Sequence, residues 1–212
     1  MKSLVIKDIF MLQKAFKMIL VLVAFYIVIF LLTGASAALP MVMAILAVTF
    51  PISTFSYDEA NKWDRYALSG PLVREDIVRA KYLLCLLLMA VALIIGFIGL
   101  TIMNFFSATV DLSLTEILLI VSISILLGLC GQAIILPIIY KLGAEKGRMF
   151  LIAVMMIPIL TIILFNRFAD PELKQFFSNN LHFFPFILII LVIAGYALSY
   201  KISLRIYMGK EF

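Results

Sequence analysis

Residues 18–57 read MILVLVAFYIVIFLLTGASAALPMVMAILAVTFPISTFSY, 40 positions without one Asp, Glu, Lys, Arg or His. A single crossing of a hydrocarbon core about 30 Å thick takes about 20 apolar residues at about 1.5 Å each. Forty residues therefore make two crossings if the chain reverses near their middle. Gly34-Ala35-Ser36-Ala37-Ala38-Leu39-Pro40 lies there, with a Gly and a Pro to permit the turn. Four more stretches free of acid, Lys and Arg follow at 82–110, 117–140, 149–166 and 175–200, and each fits one crossing. The spacing predicts six spans, at 18–34, 38–56, 82–106, 117–140, 149–166 and 182–201.

Composition agrees: 65% of the 212 residues are hydrophobic and the mean hydropathy is +1.20, which excludes an ordinary water-soluble globule. The charges provide an independent check, because short cytoplasmic loops collect Lys and Arg. With an inner N-terminus, 15 of the 17 basic residues fall inside and only Arg167 and Lys174 outside. If 18–57 crossed once, the five bases of 62–81 would move outside, so the count supports the folded first stretch. Both termini are then cytoplasmic. The net charge of +5 and the pI near 9.2 follow from this loop bias and give no reason to expect nucleic acid. Ala35-Ser36-Ala37 imitates the cleavage site of a signal peptide, but seventeen residues precede the apolar run where a signal has only a few.

Outside the spans, residues 3–17 have helical period, with Val5, Ile9, Leu12 and Phe16 on one face and Ser3, Lys7, Lys14 and Lys17 on another. Two forms suit this pattern: an amphipathic helix lying on the inner membrane surface, or a charged leader running straight into the first span. The largest polar segment, 57–81, holds five bases and five acids. Asp58 and Lys62 are spaced i,i+4 in the favourable order, and a helix over 58–68 is predicted. Ser69-Gly70-Pro71 ends it, and Glu75 and Asp76 open a second helix that runs into the third span. The result is a cytoplasmic helical hairpin far longer than a simple connection needs. Lys141 to Arg148 form a second, short inner loop. Asp170-Pro171-Glu172 predicts a short outer helix over 171–177, and five phenylalanines between 176 and 186 predict an aromatic shoulder. Seven of the eight tyrosines gather toward the inner ends, as an interfacial belt does. The whole chain, 1–212, is one all-α membrane domain.

The chemistry is sparse. On this reading no ionisable side chain lies well inside a span, which disfavours an ion-coupled transporter. The single histidine, His182, sits at an outer edge without a second histidine for a metal, and no nucleophile–base set is present, so no catalytic or metal-ligating residue is assigned. Gly143-Ala144-Glu145-Lys146-Gly147-Arg148 has glycines and a lysine at the wrong spacing for a nucleotide-binding loop. Cys85 and Cys130 fall within apolar spans and read as small packed hydrophobes. Ser124, Gly128 and Gln132 recur at i, i+4, i+8 on the fourth span, and Ala92 and Gly96 make a small-xxx-small pair on the third, both signs of close helix packing. Tyr26 lies mid-span, where its hydroxyl needs a partner or a wet path. A path lined by Tyr26, Ser124 and Gln132 suits a large amphipathic cargo better than an ion.

Leu68-Ser69-Gly70-Pro71-Leu72-Val73-Arg74, then Lys81-Tyr82, preceded by Tyr57-Asp58-Glu59 and Trp63-Asp64, resembles the segment between spans two and three of small bacterial type-2 ABC exporter permeases. With six spans and a Lys-rich helix before the first, the resemblance covers the whole chain. It is most similar to Gram-positive exporters of amphipathic peptides, such as phenol-soluble modulins. The resemblance implies a permease without its own ATPase site, a separate ATP-binding subunit that carries ATP and Mg, a second permease copy (identical or a close paralogue) and a setting of membrane lipids. It also implies that Asp58, Glu59, Trp63, Asp64, Arg74 and Glu75 form a coupling surface for the ATPase, with Lys146 in the second contact. Two other classes share such spans: an integral immunity or scaffold protein, and a lipid-acting membrane enzyme, for which the acids between Asp58 and Asp76 are the only candidates.

Overall fold

The structure, a computed structural model, describes residues 2–70, 72–106, 112–168 and 184–210. The predicted outer helix at 171–177, the phenylalanines up to Phe183 and Pro71 lie outside the described residues. The described chain is helical: α1 (Lys2–Thr33), a 3-10 turn (Ser36–Ala38), α2 (Leu39–Ala60), α3 (Trp63–Ser69), α4 (Arg74–Phe106), α5 (Leu114–Leu142), α6 (Ala144–Phe168) and α7 (Phe184–Met208). By length and composition four described segments suffice to cross a membrane, Ser36–Ala60, Arg74–Phe105, Leu114–Leu142 and Ile189–Met208, while α1 offers the shorter apolar stretch Leu20–Phe30.

The reversal within 18–57 falls at Gly34, whose φ of 70° is open to glycine. The 3-10 turn follows, and Pro40 enters α2 in its first turn, where its missing N–H has no helical partner to lose. Pro51 and Pro137 lie within α2 and α5 without ending them. Asn104 joins α4 to α5: its side chain donates to the Leu112 carbonyl at 3.0 Å and accepts from the Leu112 N–H at 2.9 Å. Ser113 and Glu116 then close a capping box at the start of α5.

Residues 3–17 do not form a separate surface helix. α1 continues without a break from Lys2 to Thr33, 32 residues or about 48 Å. Its buried side is Leu4, Val5, Asp8 and Leu12, whereas Ile9, predicted to share the apolar face, is exposed. That stripe packs on protein rather than on lipid, in one cluster with Ile52 and Phe55 of α2 and with Leu84 of α4. Lys17 is exposed and lies about 13 Å along α1 from Asp8. The hairpin differs too. α2 ends at Ala60, Lys62 turns the chain with φ 49°, and α3 begins only at Trp63.

α5 is central, packing on α7, α2, α6 and α4. Small residues decide how closely α2, α4 and α5 approach. A Cβ on Gly96 would lie 3.1 Å from the Pro40 Cα, and one on Gly128 would lie 2.5 Å from the Met89 Cε and 3.2 Å from the Ala44 Cβ. These contacts put the start of α2 beside the far half of α4, so the two helices run antiparallel. Replacing Gly96 by Val forces side-chain atoms against the Pro40 backbone, and overpacking of this kind costs about 1–3 kcal/mol. Gly195→Ala, where nothing lies within 4 Å, is the matched control. Thermal unfolding of the detergent-purified chain is expected to show a lowered Tm for G96V and an unchanged or slightly raised one for G195A.

Candidate functional site

One end of the bundle carries the charges. There the start of α1, the end of α2, α3 and the start of α4 meet the α5–α6 junction and the end of α7. Four side chains form a closed ring of opposite charges. Lys7 Nζ lies 3.1 Å from Asp8 Oδ1 and 2.7 Å from Asp58 Oδ1; Lys81 Nζ lies 3.0 Å from Asp8 Oδ2 and 2.6 Å from Asp58 Oδ2. Asp8, Asp58 and Lys81 are buried. Lys81 also donates to the Thr54 hydroxyl at 3.1 Å and sits 4.9 Å from the Phe55 ring centroid, while Lys7 lies 4.3 Å from the Trp63 ring centroid. Each cation faces both anions, so the charge of the ring sums to zero, with Lys7 at its partly exposed edge. Asp58 is committed to this ring and does not form the i,i+4 pair with Lys62 that its spacing suggested, and the helix breaks between them.

Of the other acids of the hairpin, Glu59 is tied to a helix end, and Asp64 and Glu75 to side chains. Both carboxylate oxygens of Glu59 accept from the Ala144 N–H, at 2.9 and 3.1 Å, so Glu59 caps α6 and neutralises the positive end of its dipole. Gly143, with φ 89°, makes room: a Cβ there would lie 3.3 Å from Glu59 Oε1. The second loop is thereby reduced to this one residue between α5 and α6. Asp64 accepts from the Tyr207 hydroxyl at 2.9 Å. Arg74 donates to the Tyr207 carbonyl at 3.3 Å and to the Met208 carbonyl, satisfying the open carbonyls of α7 with a cation at its negative end. Glu75 pairs with Arg79 at 2.5 Å along α4 and accepts from Tyr200 at 3.5 Å.

Three of the seven tyrosines near the inner ends pack inside the protein, while Tyr57 and Tyr66 are exposed. Tyr82, Tyr140 and Tyr207 are buried. The Tyr82 hydroxyl bonds Ser199 and Ser203 of α7 at 2.7 and 2.8 Å. Tyr140 stands edge-on to both Phe55 and Tyr207, at 5.1 and 5.5 Å between centroids. Beside them lies a polar cavity of about 20 Å³ bordered by Asp58, Glu59, Asp64, Lys81, Tyr140 and Tyr207, room for about one water molecule. Facing outward instead are Lys62, Arg65, Tyr66 and Val73 on the hairpin and Lys146 at the start of α6. Tyr66 is 72% exposed, a large aromatic with no core role.

The remaining candidates lie away from this end. Gln132 is buried and donates from Nε2 to the Ala47 carbonyl of α2 at 3.1 Å and the Cys85 carbonyl of α4 at 3.2 Å, fastening three helices. Ser124 returns its hydroxyl to the Ile120 carbonyl at 2.8 Å in its own helix. Tyr26 is half-buried and stacks on Phe30, with centroids 5.8 Å apart. Among the described residues no three His, Cys, Asp or Glu side chains are grouped to hold a metal ion.

An ABC-2 family transporter protein model matches residues 3–208, nearly the whole chain. The chain belongs to the ABC-2 transporter family. It is a membrane permease component of an ABC transporter, and the family is one of transport subunits. No match was found among curated proteins or among solved structures. In this ABC-2 permease the segment between α2 and α4, which carries α3, spans 61–73, and Asp58, Glu59, Trp63, Asp64, Arg74 and Glu75 lie at one end of the bundle. Asp8, Lys7 and Lys81 complete the cluster and were not among the candidates. The signal for Asp8 was its place on the apolar stripe, one turn from Leu4 and Val5 and one from Leu12.

Removing one member of a buried, balanced charge set strands another, at a cost of about 3–5 kcal/mol. Lys81→Met is expected to lower the Tm sharply. The double variant Lys81→Met with Asp58→Asn leaves Lys7 and Asp8 paired and should lose less than the two single changes added together. A double-mutant cycle on thermal unfolding measures that difference.

Proposed function

We propose that this permease is the membrane-spanning subunit of an ATP-driven exporter, in which two permease copies work with two separate ATP-binding subunits carrying ATP and Mg. The chain crosses the membrane six times with both ends cytoplasmic, and the charged end of the bundle faces the ATPases. The cargo is amphipathic or hydrophobic, and a peptide fits best. What carries this reading is the way the hairpin is held: Lys7 to Asp58 ties it to α1, Glu59 to α6, and Asp64 and Arg74 to α7. A push on α3 therefore reaches three transmembrane helices at once, through bonds too short to absorb the movement.

The contact with the ATPase is made by the outward groups, Tyr66 and Arg65 on α3 and Lys146 on α6, with Trp63 and Glu75 flanking them. Asp58, Glu59, Asp64 and Arg74 transmit the movement behind that surface. When the ATPases close on ATP, the hairpin turns, α1 and α7 reorient, and a path opens between the two copies. Along α1 that path passes Tyr26, while Gln132 and Ser124 hold the α2–α4–α5 core against which α1 moves.

Affinity purification of the tagged chain from its native membranes tests this. The wild type is expected to bring down a protein of about 230–300 residues, the size of one large domain, that carries a nucleotide-binding loop. Tyr66→Asp combined with Arg65→Glu should abolish that association at unchanged permease Tm. Retention of the ATPase by this variant, or its absence from the wild type, refutes the coupling role.

A further inference from the structure

We propose that the outer valley between α4 and α7 is a phospholipid site, with the lipid phosphate held at Arg79 and one acyl chain lying along the valley. This does not rest on the transport cycle proposed above; it requires only that α4 and α7 cross the bilayer, and both are apolar and long enough to do so. The two helices are bolted together by Tyr82 on Ser199 and Ser203. On their outer side they part to leave a groove of about 500 Å³. Leu83 and Leu86 of α4 form one wall, Val192, Ile193 and Ala197 of α7 the other, and Leu129 of α5 the floor.

The groove has polarity only at one end. Arg79 and Tyr200 stand at its mouth, and every residue deeper than Tyr82 and Tyr196 is aliphatic. From Arg79 to Leu86 the valley descends about 10 Å along α4, most of the depth of one leaflet. A cation at the interface above an apolar trough is complementary to an amphiphile with a phosphate on top and a hydrocarbon chain below. The guanidinium side chain is 51% exposed. Its bond to Glu75 is made from Nη2, and a guanidinium carries five donors in a planar fork that matches phosphate oxygens. Glu75 holds that Nη2 and in turn accepts from the Tyr200 hydroxyl. Leu83, Leu86 and Ile193 are exposed along the walls, a surface that a chain of methylenes covers without leaving polar groups unpaired.

Native mass spectrometry of the delipidated full chain, titrated with dioleoyl phosphatidylglycerol, dioleoyl phosphatidylethanolamine and dioleoylglycerol, tests the assignment. Both phospholipids are expected to bind as one tight adduct, and dioleoylglycerol, which lacks the phosphate, to bind far more weakly. Arg79→Gln should weaken phospholipid binding by about ten-fold or more, since a hydrogen bond to a charged group is worth at least that factor. Ala197→Phe, which fills the trough, should remove the tight adduct while leaving Arg79 in place. Inorganic phosphate at millimolar concentration should not displace the lipid, because it has no chain for the trough. Equal binding of dioleoylglycerol, displacement by phosphate alone, or unchanged binding in both variants overturns the proposal. So does a change of oligomeric state in Ala197→Phe without loss of lipid, which would make the valley a contact between permease copies.

Discussion

The ring of Lys7, Asp8, Asp58 and Lys81 is the constraint on which the charged end depends. Its four members come from α1, α2 and α4, helices far apart in sequence, and each charge has two opposite charges within about 3 Å, three of the four being buried and Lys7 partly exposed. Stranding any one of them by removing its partners costs about 3–5 kcal/mol, a large share of a domain's stability. The three helices must therefore meet at one register, and a shift of α1 by one turn would strand Asp8 in an apolar cluster. This is why residues 2–17 extend the first helix rather than lie on the membrane. The apolar stripe of an amphipathic helix is indifferent to whether lipid or protein covers it, whereas a carboxylate on that stripe demands a cation.

Around the ring, two further charges of the hairpin meet the open ends of other helices. A helix terminus presents unsatisfied N–H or C=O groups and half a charge. Glu59 answers the start of α6 and Arg74 the end of α7, each with the sign that the dipole calls for. The physical consequence is stiffness. A loop between two spans needs only a few residues to close, yet this one is fastened at four points, so it moves as part of the bundle. Its aromatic Tyr66 stays exposed outside these contacts.

Much of the fold was legible from composition and spacing. The uncharged runs placed α5 within a few residues of both its ends and the far ends of α2 and α4 as closely, and Gly34 and Pro40 marked the reversal; the capping box of Ser113 and Glu116 at the start of α5 was not read from the sequence. Gly96 and Gly128 signalled close packing and do approach α2 within van der Waals range. Less legible was the use of each polar group. Tyrosines near span ends suit an aromatic belt or a packed cluster equally by hydropathy, and only the serines of α7 decided for Tyr82. Asp58 and Lys62 have the spacing of a helical pair, but a local attraction worth a few tenths of a kcal/mol does not compete with a buried ring.

Residue order alone settles where the chain is too apolar for water, because burial of hydrocarbon is additive along the chain and needs no partner of known position. Which charges pair, which helix ends are capped and which faces stay open depend on residues fifty to a hundred and forty positions apart. Those pairings are directional and strong only at contact distance, so they exist as facts about this protein only once the helices have been brought together.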